Sequence, residues 1–253
     1  TNALFVSAGN VGIGTNTPKY TLHVCACDPG VVVGGTSNAL CGTQTRNSGI
    51  FSGSNNSING NSVSTTIIGG SNNCITNSGF LASYNTIIGG NTNCVSGGSP
   101  RGTTIIGGNN LKIYGQYSYG MTAIGGYVNK QCCPGGYNLL AAGQKNCFTG
   151  NYTYDSAITS GCQNEIGVNY GSGNAITGGH SNCVSAGNHS FLGGGDNNCI
   201  KHGCAAIAGG TSVTSVSAGM LHAQSLFIKT LPTSDPGVPG VMFHYGGDVK
   251  ISV

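Results

Sequence analysis

The segment Thr66-Ile-Ile-Gly-Gly-Ser-Asn-Asn-Cys-Ile75 returns almost unchanged as Thr86-Ile-Ile-Gly-Gly-Asn-Thr-Asn-Cys-Val95. Aligning the chain on the second glycine of such segments reveals eleven units, separated by 15 to 20 residues and most often by 18. Positions are counted from this anchor glycine, which is position 0. The anchors are Gly35, Gly53, Gly70, Gly90, Gly108, Gly126, Gly143, Gly161, Gly179, Gly195 and Gly210.

Three further positions repeat with the anchor. Position −3 is a large aliphatic residue in every unit except the one with Ala123, and position +5 is apolar in most units. Position +3 is asparagine in nine of the eleven units: Asn38, Asn56, Asn73, Asn93, Asn129, Asn146, Asn164, Asn182 and Asn198. This regularity predicts tandem structural repeats.

The repeat predicts an all-β fold. About 18 residues are too few for a helix pair, and the 46 glycines disfavour sustained helix. Short strands between Gly/Asn turns fit instead, so each unit is expected to form one coil of a parallel β-solenoid, a β-roll or β-helix of about eleven coils. The aliphatic residues would fill the interior, and the asparagines would stack as an amide ladder. At roughly 4.8 Å per coil the rod would be about 50 Å long.

The ends break the pattern. We therefore predict three regions: residues 1–31 as an N-terminal β cap or joint, residues 32–215 as the solenoid, and residues 216–253 as a C-terminal strand and hairpin cap. The expected cap strands are Ala3–Val6, Tyr20–Val24, Ser225–Lys229, Val241–Tyr245 and Val249–Val253. Such caps would cover the open ends of the stack and join neighbouring proteins.

Composition points to an assembly. Charged residues are only 6% of the chain, and the net charge of +3 comes from nine unclustered Lys and Arg, which argues against nucleic-acid binding. No apolar run reaches 18 residues, so no membrane insertion is predicted. A single coil encloses a thin core, and packing three rods side by side would bury more apolar surface. We therefore expect a homotrimer.

Cysteine is the candidate reactive group. Position +4 holds a column of Cys74, Cys94, Cys147, Cys183 and Cys199. Cys74 with Cys94, and Cys183 with Cys199, would lie on adjacent coils, close enough for a disulfide or a shared metal ion. The alternative, which we favour, is that each Cys is a small buried apolar residue. The chain shows no paired C-x-x-C, so no metal site and no cofactor are predicted.

No catalytic residues are predicted, and the chain is not expected to be an enzyme. The six acidic residues are far apart in sequence, and a glycan-cleaving spike would have to bring two of them together across subunits. The variable stretches between position +5 and the next aliphatic residue are expected to be exposed loops. They hold the candidate receptor-contact residues Tyr114, Tyr117, Tyr119, Tyr152 and Tyr154.

Segments such as Asn182-Cys-Val-Ser-Ala-Gly-Asn-His-Ser-Phe-Leu-Gly-Gly-Gly195 resemble the head repeats of trimeric autotransporter adhesins and the Gly-rich repeats of phage tail fibres. The stretch Asn10–Val24 is similar to a segment common in phage tail fibres and also found in bacterial surface proteins. Leu231–Gly240 and Asp248–Ser252 resemble a terminal element of marine phage structural proteins. These resemblances imply a trimeric parallel β-roll on a virion or cell surface.

The leading hypothesis is a structural and adhesive fibre segment of a virion or phage tail, extracellular or on the virion surface, that contacts a host glycan or protein. The alternatives are a bacterial trimeric surface adhesin or extracellular filament subunit, and a glycan-cleaving tailspike.

Overall fold

The structure is a computed structural model that describes residues 5–7, 9–13, 22–24, 30–41, 45–79, 83–132, 134–225, 231–239, 241–245 and 248–252. Regular structure in this part of the chain is β only, without helix. The chain divides into two compact units, residues 1–222 and 223–253, and the repeats lie in the first.

Two long parallel sheets dominate the first unit. Within the described residues, the twelve-stranded sheet consists of Gly30–Val33, Ser48–Phe51, Thr66–Ile68, Thr86–Ile88, Thr104–Ile106, Thr122–Ile124, Leu139–Ala141, Ala157–Ile158, Ala175–Ile176, Phe191–Leu192, Ala206–Ile207 and Leu221–His222. The ten-stranded sheet, counted over the same residues, consists of Ala39–Cys41, Ser57–Gly60, Cys74–Asn77, Cys94–Gly97, Lys112–Tyr114, Lys130–Gln131, Cys147–Phe148, Glu165–Ile166, Cys183–Val184 and Cys199–Ile200.

Three smaller sheets complete the strands of the described regions. A short parallel sheet forms part of a third side of the coils, and its strands are Ser118–Tyr119, Gly135–Gly136 and Thr153–Tyr154. An N-terminal sheet holds Phe5–Ser7, Asn10–Ile13 and Leu22–Val24. Met242–Tyr245 and Asp248–Ile251 form an antiparallel hairpin in the second unit, which confirms the hairpin predicted from the sequence.

Each strand of the long sheets pairs with the equivalent strand of the next coil. Ile87 pairs with Ile67 on one side and with Ile105 on the other, and Cys94 pairs with Cys74. Because every such pairing is parallel and in register, one sequence unit makes one coil. The described residues form a parallel β-solenoid of about ten turns with a spacing near 18 residues, which confirms the predicted fold class.

The core lies between the two long sheets. Position −3 of the twelve-stranded sheet and position +5 of the ten-stranded sheet point inward, and residues such as Ile105 and Val95 are fully buried. Val32 is an exception: it lies in the first coil and stays 44% exposed. Gln131 occupies position +5 in its coil and is buried as well. The core is therefore two stacked columns of mostly aliphatic side chains, which divide along the solenoid into one cluster in residues 50–123 and another in residues 140–207.

The nine asparagines at position +3 form a column that is buried except at Asn38. The prediction that their amides bond to one another as a ladder was wrong. Each side-chain oxygen accepts a hydrogen bond from the backbone N–H at position +3 of the next coil, as between Asn164 and Asn182 at 3.0 Å. The amide nitrogen donates to two carbonyls, those of Ser160 and Gly179 for Asn164, both at 3.1 Å. The column therefore satisfies the backbone at the turn, and Leu111 interrupts it.

A second polar column lies at the opposite end of the twelve-stranded strands, at position −5. Asn85 accepts from the backbone N–H of Thr103 at 3.1 Å and donates to the carbonyl of Pro100 at 3.0 Å. The column was not predicted, although the sequence carries its signal. Position −5 is Ser, Thr or Asn in eight units: Ser48, Thr65, Asn85, Thr103, Asn138, Ser156, Asn174 and Ser190.

The anchor must be glycine because of its conformation and its neighbours. At Gly90 the backbone has φ of +78°, and a Cβ would lie 2.3 Å from Nδ2 of Asn93 and 2.5 Å from the carbonyl oxygen of Gly108. An L side chain is disfavoured at this φ, and here it would also displace the asparagine column.

Several predictions for the two ends of the chain are not tested by the structure. Residues 216–222 belong to the first unit, and Leu221–His222 adds one more strand to the twelve-stranded sheet. The predicted strand Ser225–Lys229 lies outside the described residues except for Ser225, and residues 14–21 of the segment Asn10–Val24 lie outside them as well. The boundaries at 31/32 and 215/216 stay predictions.

Candidate functional site

The third side of the solenoid carries exposed tyrosines in four consecutive coils. In the short sheet, Ser118 pairs with Gly135 and Gly135 pairs with Thr153, and Ser118 and Thr153 point inward and are buried. The next residue in each strand points outward, since side chains alternate along a strand. Tyr119, Gly136 and Tyr154 therefore form an outward column.

A second tyrosine column follows the corner just before these strands. Tyr154 pairs with Ser172, which places Tyr152 next to Tyr170 of the following coil. Their rings stack with centroids 5.2 Å apart and planes 16° from parallel. Both residues have positive φ, 58° for Tyr152 and 56° for Tyr170. The left-handed corner turns both rings to the outside of the coil.

Glycines make room for these rings. A Cβ on Gly120 would lie 2.7 Å from the Tyr137 ring, so that ring packs directly over the glycine. A Cβ on Gly136 would lie 3.1 Å from the carbonyl oxygen of Tyr119 and 3.5 Å from the Tyr154 ring. The alternation of glycine and tyrosine from coil to coil spaces the rings along the rod.

We call these residues the tyrosine face: Tyr117, Tyr119, Tyr137, Tyr152, Tyr154 and Tyr170. The most exposed are Tyr170, at 76%, and Tyr137, at 69%. Asp155 is the charged residue among the described segments 117–120, 134–137, 152–155 and 170–173 that form this surface. Exposed aromatic rings with hydroxyl groups, on a surface of low charge, suit contact with sugars or with protein.

The structure brings together four of the five tyrosines predicted as receptor contacts. The exception is Tyr114, which lies in a strand of the ten-stranded sheet and pairs with Ser96. Tyr119 and Tyr154 also lie in strands rather than in the predicted loops. Tyr137 and Tyr170 were missed, although they lie in the same variable stretches.

The five cysteines at position +4 are in one column, but they are not buried as we favoured. They lie half-buried on the outer face of the ten-stranded sheet, and their thiols form no disulfide with one another. The physical reason is alternation: positions +3 and +5 point inward, so position +4 points outward. Cys74 pairs with Cys94, and Cys183 with Cys199, whereas Cys147 lies between Lys130 and Glu165.

The paired thiols differ in acidity. A hydrogen bond from the Cys94 thiol, with others from Thr76 and Ser57, lowers the pKa of Cys74 to about 5. The same contact with Cys74 raises the pKa of Cys94. Burial, followed by the hydrogen bond with Cys199, raises the pKa of Cys183 to about 12. The hydrogen bond between the two thiols therefore favours the thiolate of Cys74 over that of Cys94.

Within the described segments no group of three or more His, Cys, Asp or Glu is arranged to hold a metal ion. His180 and Asp196 form an exposed pair on adjacent coils, with 2.8 Å between Nδ1 and Oδ1. The part of the chain that the structure describes contains no helix that could span a membrane.

Comparison of the chain with protein-family models, with curated proteins and with solved structures found no match. The class that the fold defines is therefore the parallel β-solenoid, and the functional argument depends on its surfaces.

Proposed function

We propose that this chain is a structural and adhesive fibre segment, a homotrimer at a virion surface or in a phage tail, and that its tyrosine face contacts a host surface glycan or protein. The observation that carries the proposal is the set of six tyrosines on one side of four consecutive coils. The end regions would join the segment to neighbouring proteins of the fibre.

The architecture supports this role physically. Neighbouring coils are hydrogen-bonded through parallel strands, and most of them also through the asparagine column, so the tyrosines project from a continuous scaffold. A ligand that binds ordered rings loses little affinity to ordering the protein. Tyrosine is also among the residues that contribute most to binding when it is buried in a complex.

Binding of the full chain to host cells and to a glycan array tests the adhesive role. We expect Tyr119→Ala and Tyr154→Ala each to weaken binding by about 10- to 30-fold. Tyr127→Ala is the matched control, since Tyr127 is 48% exposed but belongs to another side of the coil, where it pairs with Asn109. Equal loss for the control, or no binding by the unaltered chain, would contradict the tyrosine face as the contact surface.

Immunogold electron microscopy tests the location. Labelling of purified viral particles supports the virion assignment. Labelling of a bacterial cell surface instead would contradict it and favour the adhesin alternative.

A further inference from the structure

The outer face of the twelve-stranded sheet contains no charged residue among the described coils. Its outward positions are −4, −2 and −1. Position −4 holds Val31, Gly49, Thr66, Thr86, Thr104, Thr122, Leu139, Ala157, Ala175, Phe191 and Ala206. Position −2 holds Val33, Phe51, Ile68, Ile88, Ile106, Ile124, Ala141, Thr159, Thr177, Gly193 and Ala208, and position −1 holds only Gly, Ser or Ala. We call this surface the uncharged face.

A column of large apolar side chains runs along this face. Val33 pairs with Phe51, and the pairing continues in register through Ile68, Ile88, Ile106 and Ile124. These six side chains are between 38% and 46% exposed. In five of the six coils the preceding residue of the chain, at position −3, is fully or almost fully buried. Scattered exposed aliphatic residues are ordinary on a protein surface, but a continuous row over six coils marks an interaction surface.

The other two sides of the coil do not share this property. The ten-stranded sheet carries Lys112, Lys130 and Glu165 on its outer face. The tyrosine face carries Asp155, and Arg101 precedes Tyr119 in its column. One side of three is therefore free of the charges that keep a surface hydrated.

A second copy of this chain fits the uncharged face in chemistry and in size. Twelve strands are separated by eleven spacings of about 4.8 Å, and four residues along a strand by three spacings of about 3.3 Å, which gives a projected area on the order of 500 Å² per copy. Two copies would bury about 1,000 Å², which reaches the size expected of a specific interface. The spacing between successive residues of the isoleucine column is the same in each copy. The columns of two copies can therefore stay in contact along their whole length.

The distribution of side chains favours parallel, in-register copies. Large residues occupy position −2 from Val33 to Ile124, and smaller residues occupy it from Ala141 to Ala208. A parallel arrangement packs the large residues of one copy against the large residues of the other, and the small against the small. An antiparallel arrangement of equal overlap would place isoleucines opposite alanine, threonine and glycine, where cavities would remain.

We propose that copies of this chain associate in parallel and in register through the uncharged face, with Ile68, Ile88, Ile106 and Ile124 at the centre of the contact. This inference rests on the homotrimer of the proposed function and assigns its interface: each uncharged face turns toward the common axis, and the tyrosine face and the cysteine column stay outside.

Sedimentation equilibrium of the full chain tests the interface. The unaltered chain should show three times 25.3 kDa. Ile88→Lys with Ile106→Lys should raise the dissociation constant at least about 100-fold, because unpaired charges would be buried at the contact. Ser96→Lys with Tyr114→Lys is the matched control: these residues lie in the same two coils on the ten-stranded sheet, and their substitution should leave the mass unchanged. Circular dichroism checks that both double variants fold.

Mixing variants tests the register. Ile106→Lys and Ile106→Glu meet each other in a parallel in-register assembly, so their mixture should regain most of the association. Thr159 would lie opposite Ile106 if the twelve strands of two copies overlapped fully in an antiparallel arrangement, so a mixture of Ile106→Lys with Thr159→Glu should not. Rescue by the second mixture alone would overturn the parallel register.

The outcomes separate the inference from the proposed function. A trimer that is insensitive to the isoleucine substitutions overturns this interface and leaves the homotrimer standing. A monomeric unaltered chain overturns both the interface and the homotrimer, while the adhesive role is decided separately by the tyrosine variants.

Discussion

The two long sheets share one kind of inner face and have very different outer faces. Inside, Ile105 of the twelve-stranded sheet and Val95 of the ten-stranded sheet are equally buried. Outside, one sheet presents threonine, isoleucine and small residues, and the other presents lysine, glutamate and thiols. Both sheets stack through the same parallel pairing, so folding alone does not require this difference. The outer faces therefore report what each side of the coil contacts.

The largest expected effect separates the inner from the outer face of one strand. Ile105 is fully buried and its neighbour Ile106 is 38% exposed. We expect Ile105→Ala to lower the free energy of unfolding by about 2–5 kcal/mol at every protein concentration, because it leaves a cavity in the stack. Ile106→Ala should change stability only at concentrations where copies associate. Urea unfolding at several protein concentrations measures both.

Equal, concentration-independent losses for the two substitutions would mean that Ile106 also packs within the single solenoid. The distinction between inner and outer faces would then be wrong for this strand.

Much of the fold follows from the sequence because every coil of the solenoid is formed by the same local sequence pattern. The anchor glycine, the aliphatic residue at −3 and the apolar residue at +5 predict the coil, and the register follows because equal positions stack. The cysteine prediction failed on the same rule. Since Asn93 and Val95 both point inward, the period of two places Cys94 outside, and the column could have been assigned from the sequence.

The tyrosine face was only partly predictable for a different reason. Its residues lie in stretches whose lengths vary, so no fixed position marks them. Pairing of Tyr154 with Ser172 is what brings Tyr152 onto Tyr170, and it depends on how each stretch crosses the third side. The hydrogen-bond partners of the asparagine column could not be predicted from the sequence either. Stacked amides can bond to one another or to the backbone, and the choice depends on the geometry of the corner.

An intermediate effect is expected where the two sheets join. Asn164→Ala removes the two bonds that Asn164 donates, and it leaves the backbone N–H of Asn182 without its acceptor. We expect the free energy of unfolding to fall by about 2–3 kcal/mol, since unpaired buried groups cost more than a hydrogen bond contributes. The measurement is urea unfolding. Asn197→Ala is the control, because Asn197 is exposed and donates to Ser212 at the surface.

A loss at Asn164 no larger than at Asn197 would contradict the role of the column in satisfying the turn. A smaller loss for Asn164→Leu than for Asn164→Ala would agree with the place that Leu111 takes in the same column.

The smallest expected effect concerns the reactivity of the thiols on the outer face of the ten-stranded sheet. The pKa of Cys74 is lowered to about 5 and that of Cys183 is raised to about 12. Since the thiolate is the form that alkylates, the rate at Cys74 should change little between pH 7 and pH 9, whereas the rate at Cys183 should rise about tenfold per pH unit. Timed iodoacetamide labelling with peptide mass spectrometry measures each site.

Two variants test whether the neighbouring thiol is the cause. Cys94→Ala removes the hydrogen-bond donor and should make the rate at Cys74 rise with pH, while Cys94→Ser keeps a donor and should preserve the flat profile. A steep profile at Cys74 in the unaltered chain would show that the thiols of adjacent coils do not interact, and the column would then be only a row of independent side chains.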